Sequence, residues 1–154
     1  MQIRDASCDD IPAIQALLPL LASFDVPLRR NPEHLWRGDE EMLLDWGAGK
    51  RGDVFVRVAV QEEVVAGACI VSLREELLSH EPSAHLEVVV VSQNTQGTGL
   101  GRKLMCDAEM QAQSRGAWSM TLHVFGVNKK ARGLYDKLGY DPELIRYSKT
   151  LDAS

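Results

Sequence analysis

Four consecutive valines, Val88 to Val91, lead into a polar turn and then into three glycines at alternate positions, Gly97, Gly99 and Gly101. A segment reading LGRKLMCDAEMQAQSR follows at once. The β-branched run predicts a strand over residues 84–92. Leu100, Leu104, Met105 and Ala108 recur at helical spacing and predict a helix over 99–115, with Gly116 at its end. Strand, glycine turn, helix is a strong constraint on the backbone. Glycines let several main-chain N–H groups converge on one point, and the helix N-terminus adds partial positive charge there. This stretch therefore predicts a cradle for a phosphate-bearing ligand. The bland alternative is a tight strand–helix turn that holds nothing.

Three phosphate motifs can be compared with it. A P-loop needs a second glycine after four intervening residues, and Arg102 stands there instead. A dinucleotide fingerprint needs G-x-G-x-x-G, but here the third glycine comes one residue early. The pattern Q/R-x-x-G-x-G/A is met at every fixed position by Gln96, Gly99 and Gly101, with Gly97, Thr98 and Leu100 between them.

The 154 residues suit one domain, 1–154, large enough to bury a core. Apolar residues make up 45% and charged residues 25%, an ordinary globular balance. No apolar run approaches the roughly 18 residues that span a bilayer, and the first ten residues lack a secretory apolar core, so no membrane partner and a cytoplasmic location are expected. The net charge of −5 argues against nucleic acid as a partner and suits a cationic, amine-bearing substrate. Cys8, Cys69 and Cys106 are odd in number and lack C-x-x-C spacing, so they read as buried, reduced thiols. His80 and His85 match no metal-ligand spacing; they read as surface or edge histidines, and no metal is expected.

Along the chain, residues 1–5 read as a strand. Ser7 and Asp10 look like a helix cap ahead of Ile11, Ile14, Leu17, Leu18 and Leu21, with Pro19 bending or ending that helix. Asn31-Pro32 opens a second helix that runs to Gly47, with Trp36 and Trp46 as packing residues. Residues 54–60 and 64–73 form a hairpin around Gln61-Glu62-Glu63. Residues 74–83 form a polar loop whose acidic residues make a solvated rim. Residues 118–125 read as a central strand, 128–138 as a helix, and 140–151 as one or two closing strands. The order predicts an α/β fold: a single mixed, mostly antiparallel sheet with helices on both faces.

A second motif lies 32 residues after Gln96. Asn128 to Tyr140, NKKARGLYDKLGY, fits N-x-x-A-x-x-L-Y-x-x-x-G-[FY] at all its fixed positions. Packing alone would account for Ala131, Leu134 and Leu138. The two motifs together, in this order, resemble the GCN5-related N-acetyltransferase (GNAT) family. The resemblance is clear from about Val54 to Leu151 and rests only on element order before that.

The resemblance implies the acyl-CoA N-acyltransferase fold, acetyl-CoA as cosubstrate and an amine as acceptor, with direct transfer in a ternary complex rather than through a cysteine. It implies that Gln96, Gly97, Thr98, Gly99, Leu100 and Gly101 hold the pyrophosphate by main-chain N–H groups, with Arg102 beside it. Val89, Val90 and Val91 would offer backbone groups to the pantetheine arm, and Asn128 would orient that arm. Tyr135 would be the acid that protonates the leaving thiolate, and it would border the cofactor as well. Glu87 stands where family members often keep the base; the alternative is a solvent-facing glutamate at a strand end. Many members carry Arg where Gln96 stands, and Pro where Ser92-Gln93 stand. A non-catalytic acyl-CoA sensor on the same fold is the rival reading, and a homodimer is left open.

Overall fold

The computed structural model describes residues 1–152, so the last two positions of the expected domain lie outside the described residues. Strands β1 (Gln2–Asp5), β2 (Val54–Gln61), β3 (Val64–Glu75), β4 (Pro82–Val91) and β5 (Ser119–Leu122) form one sheet in the order β1-β2-β3-β4-β5. The first three pairings are antiparallel, and β4–β5 is parallel. Helices α1 (Ile11–Leu17) and α2 (Arg37–Gly47) cover one face, where Ile14, Leu18 and Leu43 pack on Val56, Val58, Ile70 and Val88. Helices α3 (Leu100–Ser114) and α4 (Lys129–Lys137) cover the other, where Met105, Ala108, Leu134 and Leu138 pack on Phe55, Cys69, Val71 and Leu86. Each apolar face is thereby buried against a neighbouring layer, as the alternation in β2 and β3 requires.

Local chemistry explains most boundaries. The Asp10 carboxylate accepts the Ser7 N–H at 2.8 Å and is clamped by Arg4. At Pro19 the α-helix gives way to a 3₁₀ segment, Leu18–Ala22. Asn31 caps with its side chain, but it opens only a 3₁₀ turn, Pro32–Leu35; the α-helix begins at Arg37, after a break at Trp36. Trp36 and Trp46 pack against the core, as expected. The β2–β3 turn places Glu62 and Glu63 at φ 50° and 66°, a left-handed pair that normally favours Asn-Gly.

The structure corrects the sequence reading elsewhere too: the loop expected over 74–83 is shorter, because β3 runs to Glu75 and β4 starts at Pro82. β5 is a four-residue edge strand, not a central one, and Trp118 is exposed beside it. Its apolar residues Met120 and Leu122 are partly buried against the cluster that contains Met105, Ala108 and Ala112 of α3, with no further strand beside them. The segment 140–151 forms no strand, and Leu144, Ile145, Tyr147 and Leu151 are exposed. Of the cysteines only Cys69 is buried; Cys8 and Cys106 are exposed.

Across β1, β2 and α3 runs a buried charge network. Arg57 donates to both oxygens of Asp107 at 2.8 and 3.0 Å and to Asp5 at 2.8 Å. It fastens α3, whose N-terminus forms the cradle, to the centre of the sheet.

Candidate active site

A β-bulge in β4 shapes the site. Ile70 faces Val88 and Val71 faces Leu86, so Glu87 is an extra residue with no partner across the ladder. A one-residue insertion reverses the alternation of side chains. Ala84 and Leu86 therefore face α3, while Val88 and Val90 face α1 and α2. Val89 and Val91 turn back towards α3.

At the same point the sheet opens. β4 pairs with β5 only from Ser83 to Leu86, against Ser119 to Leu122. From Glu87 to Val91 the edge of β4 nearest β5 has no strand beside it. The backbone groups of that edge are left without a neighbouring strand from Glu87 towards the glycine turn.

Glu87 is not the uncompensated carboxylate that its place in an apolar strand suggests. Its Oε1 accepts from Ser72 Oγ at 2.8 Å and from Arg74 Nη2 at 2.7 Å, and Arg74 also donates to Ser72 at 2.9 Å. His85, expected at the surface, is buried at 6% exposure. Its Nδ1 lies 2.7 Å from Thr121 Oγ1, and its ring stacks on His123 at 4.9 Å. Burial pushes the His85 imidazole below its usual range, with Arg74 and His123 adding to the effect and Glu87 opposing it. Asp39, in the first turn of α2, is half-buried and has no hydrogen-bond partner among the described residues. Burial, and then the nearby negative charge of Glu87, raises its carboxyl to about 7.

Beyond the other end of this open edge lies the cradle. Gly97 and Gly99 have φ of 79° and 83°, a region that disfavours side chains. A Cβ built at either would meet nothing within 4 Å, so the space before them is open. α3 has no side-chain cap. The first four N–H groups of a helix have no partner within it, here those of Gly99, Leu100, Gly101 and Arg102. Leu100 can contribute only backbone, because its side chain is buried. The Thr98 hydroxyl is turned to the carbonyl of Thr95. Gln96 bridges the layers, accepting from Lys130 at 3.1 Å and donating to the Val91 carbonyl at 3.4 Å. Arg102 and Lys103 are exposed on the first turn of α3.

α4 packs beside the cradle. Leu134 lies 3.7 Å from where a Gly101 Cβ would stand. Asn128 Oδ1 caps α4 by accepting the Ala131 N–H at 3.3 Å, which leaves its NH₂ for a ligand. Tyr135 packs on the α3 face, edge-on to Tyr140 at 6.0 Å, and burial raises its phenol above the usual range. The structure thus joins the two motifs, while Glu87 and Tyr135 open on opposite faces of the sheet, beside the same gap. Sequence reasoning missed Asp39, Ser72, Arg74 and His123. Only the acidic interruption at Glu87 hinted at a polar cluster there.

An opened parallel strand pair leading to an uncapped glycine cradle defines an acyl-CoA-dependent transferase. Residues 19–140 match the sequence profile of the Acetyltransferase (GNAT) family, and the chain belongs to it. Acetyl transfer is its activity and acetyl-CoA its cosubstrate. Among solved structures it is similar to a mutant BH1408 protein from Bacillus halodurans, with TM-score 0.76 and 18% identity, covering 98% of this chain and 99% of that one. It is similar to an aminoglycoside acetyltransferase, meta-AAC0020, from an uncultured soil metagenomic sample: TM-score 0.70, 19% identity, 98% and 96% covered. It is also similar to a ribosomal-protein-alanine N-acetyltransferase from Brucella melitensis biovar Abortus 2308: TM-score 0.68, 18% identity, 98% and 100% covered. These likenesses are of fold. No curated protein sequence matches the chain. Among the described residues no helix is long and apolar enough to cross a membrane.

Proposed function

We propose that the chain acts as a single domain that moves an acetyl group directly to a primary amine within a ternary complex. The observation that carries this reading is the opening of β4 from β5 at Glu87, in line with the uncapped cradle of α3. The Gln96 N–H is already given to the Gln93 carbonyl at 3.4 Å, so main-chain N–H groups of residues 97–102 hold the pyrophosphate, helped by Arg102, and the open edge of Val89, Val90 and Val91 pairs with the pantetheine arm as an added strand would. The Asn128 NH₂ orients that arm. When bound, acetyl-CoA supplies the thioester carbon at which the new N–C bond forms as the C–S bond breaks.

On the acceptor side Glu87 takes the ammonium proton, directly or through water, at its Oε2, the oxygen without a partner among the described residues. Asp39, close enough to share the field of Glu87, helps to hold the cation. Tyr135 keeps its proton at neutral pH because burial raises its phenol; it delivers that proton to the departing sulfur and is reprotonated through solvent by the second proton that the nitrogen sheds as the amide forms. Burial pushes the Cys69 thiol up to about 12, which disfavours a thiolate acyl carrier. The three unpaired thiols suit a reducing, cytoplasmic setting.

Isothermal titration with acetyl-CoA, CoA, ATP and NAD, followed by CoA release across an amine panel, tests the reading. Binding of acetyl-CoA and CoA alone, with amine-dependent release, is expected. Binding without release from any amine would leave a sensor and overturn direct transfer.

A further inference from the structure

On the face of the site formed by the connection before α2 lies a cavity of about 370 Å³, lined by Arg29, Arg30, Asn31, His34, Leu35 and Phe125. It contains no carboxylate. In a chain of net charge −5, Arg4, Arg37, Arg51, Arg57 and Arg74 each hold an acidic side chain. Arg29 and Arg30, like Arg102, Arg115, Arg132 and Arg146, hold none among the described residues, but these two line one cavity; Arg29 donates only to the Ser148 carbonyl at 3.3 Å. Arg30 Nε is buried with no hydrogen-bond partner. A buried donor without a partner is unfavourable unless a ligand meets it. The Asn31 carbonyl is already taken by the Glu33 N–H, so the polar lining consists chiefly of donors. Leu35 and Phe125, the latter packed on Phe24 at 5.5 Å, give the cavity apolar walls that strengthen charge pairing.

Two short chain segments join this cavity to the acidic end of the site. Phe125 follows His123 by two residues, at most about 7 Å of chain, and His123 stacks on His85 beside Glu87. Asp39 follows His34 by five residues, which form the end of a 3₁₀ turn and the first turn of α2. The acceptor space therefore has a negative end at Glu87, with the Asp39 carboxyl beside it, and a positive end at Arg29 and Arg30.

Building on the acetyltransferase reading above, we propose that the acceptor carries a carboxylate or phosphate as well as its amine, and that this anionic group seats in the cavity between Arg29, Arg30, His34 and Phe125. A guanidinium presents paired donors that match both anions. The opposed polarity of the two ends orients such a molecule with its amine towards Glu87 and disfavours the reverse placement. The cavity lies on the α1–α2 side and the pyrophosphate cradle at the start of α3, so the anion here belongs to the acceptor and not to the cofactor.

The test is isothermal titration of the full chain, with and without CoA, using three straight-chain series of matched length: alkylamines, ω-amino carboxylates and aminoalkyl phosphates. At least one anionic series is expected to bind about 10-fold or more tightly than the alkylamines, the scale of one charge-assisted contact. Arg30→Gln should erase that preference, and Arg29→Gln should reduce it, with affinity for alkylamines and acetyl-CoA unchanged in both. The tighter of the two anionic series identifies the anion. Equal affinity across the series, no binding in any of them, or a preference that survives Arg30→Gln would overturn the proposal. CoA release is read separately: anion preference without acetyl transfer would strike at the proposed reaction and leave the cavity assignment standing.

Discussion

Replacing Asp39 by asparagine probes the acceptor side without touching the cradle. In the native chain burial and the charge of Glu87 move the Asp39 carboxyl from its ordinary 3.8 to about 7. At 1.36 kcal/mol per pH unit that amounts to roughly 4 kcal/mol as an upper bound. Asp39 is only half-buried, so solvent screening reduces the effect to about 2 kcal/mol. The sign follows from linkage. A carboxyl whose folded pKa is raised contributes stability that is present below about pH 4, where it is protonated in both states. That stability is lost as pH rises to about 7, where the native state holds an ionised group in a poor environment. The asparagine amide of the variant has no proton to lose. The variant should match wild type near pH 4 and exceed it at pH 8 by about 2 kcal/mol, or roughly 4–8 °C in Tm for a chain of this size. Thermal unfolding of both proteins from pH 4 to 9 measures the difference, and pH effects common to both cancel. Glu87→Gln should narrow the gap by removing the second cause. A constant offset at all pH values, or a less stable variant at pH 8, would refute the assignment.

Three other perturbations address the remaining parts. Gly99→Glu places a side chain at φ 83° and a negative charge in the cradle, so acetyl-CoA binding by titration should weaken at least about 100-fold. Tyr135→Phe should lower kcat about 10-fold or more with little change in acetyl-CoA affinity; an unaltered kcat would remove Tyr135 as the acid. Asp107→Ala leaves the buried Arg57 guanidinium with only the exposed Asp5 as partner and should cost about 3 kcal/mol in urea unfolding, while Arg57→Met with Asp107→Leu should recover most of that loss.

The cradle was legible because its requirements are local. Gly97 and Gly99 adopt left-handed backbone that few other residues tolerate, and the unpartnered N–H groups of α3 follow from helix geometry alone. The helical stripe Leu100, Leu104, Met105 and Ala108 is buried as its spacing implied. The edge position of β5 was not legible, because Met120 and Leu122 look the same whether a strand or a pair of helices buries them. Residues 140–151 carry the β-branched and aromatic character of a strand, but propensity alone does not supply a pairing partner.

By itself, the sequence determined the order of elements from β1 to α4, the two covered faces of the sheet and the left-handed glycine turn before α3, since each depends on the periodicity or backbone freedom of neighbouring residues. The tertiary structure decided the acceptor side. The bulge at Glu87 becomes visible only in the register of β4 against β3. The raised carboxyl of Asp39, the buried imidazole of His85 and the unpartnered Nε of Arg30 all depend on what distant segments pack around them. Burial and electrostatic fields sum over groups far apart in the chain, and no local pattern encodes that sum.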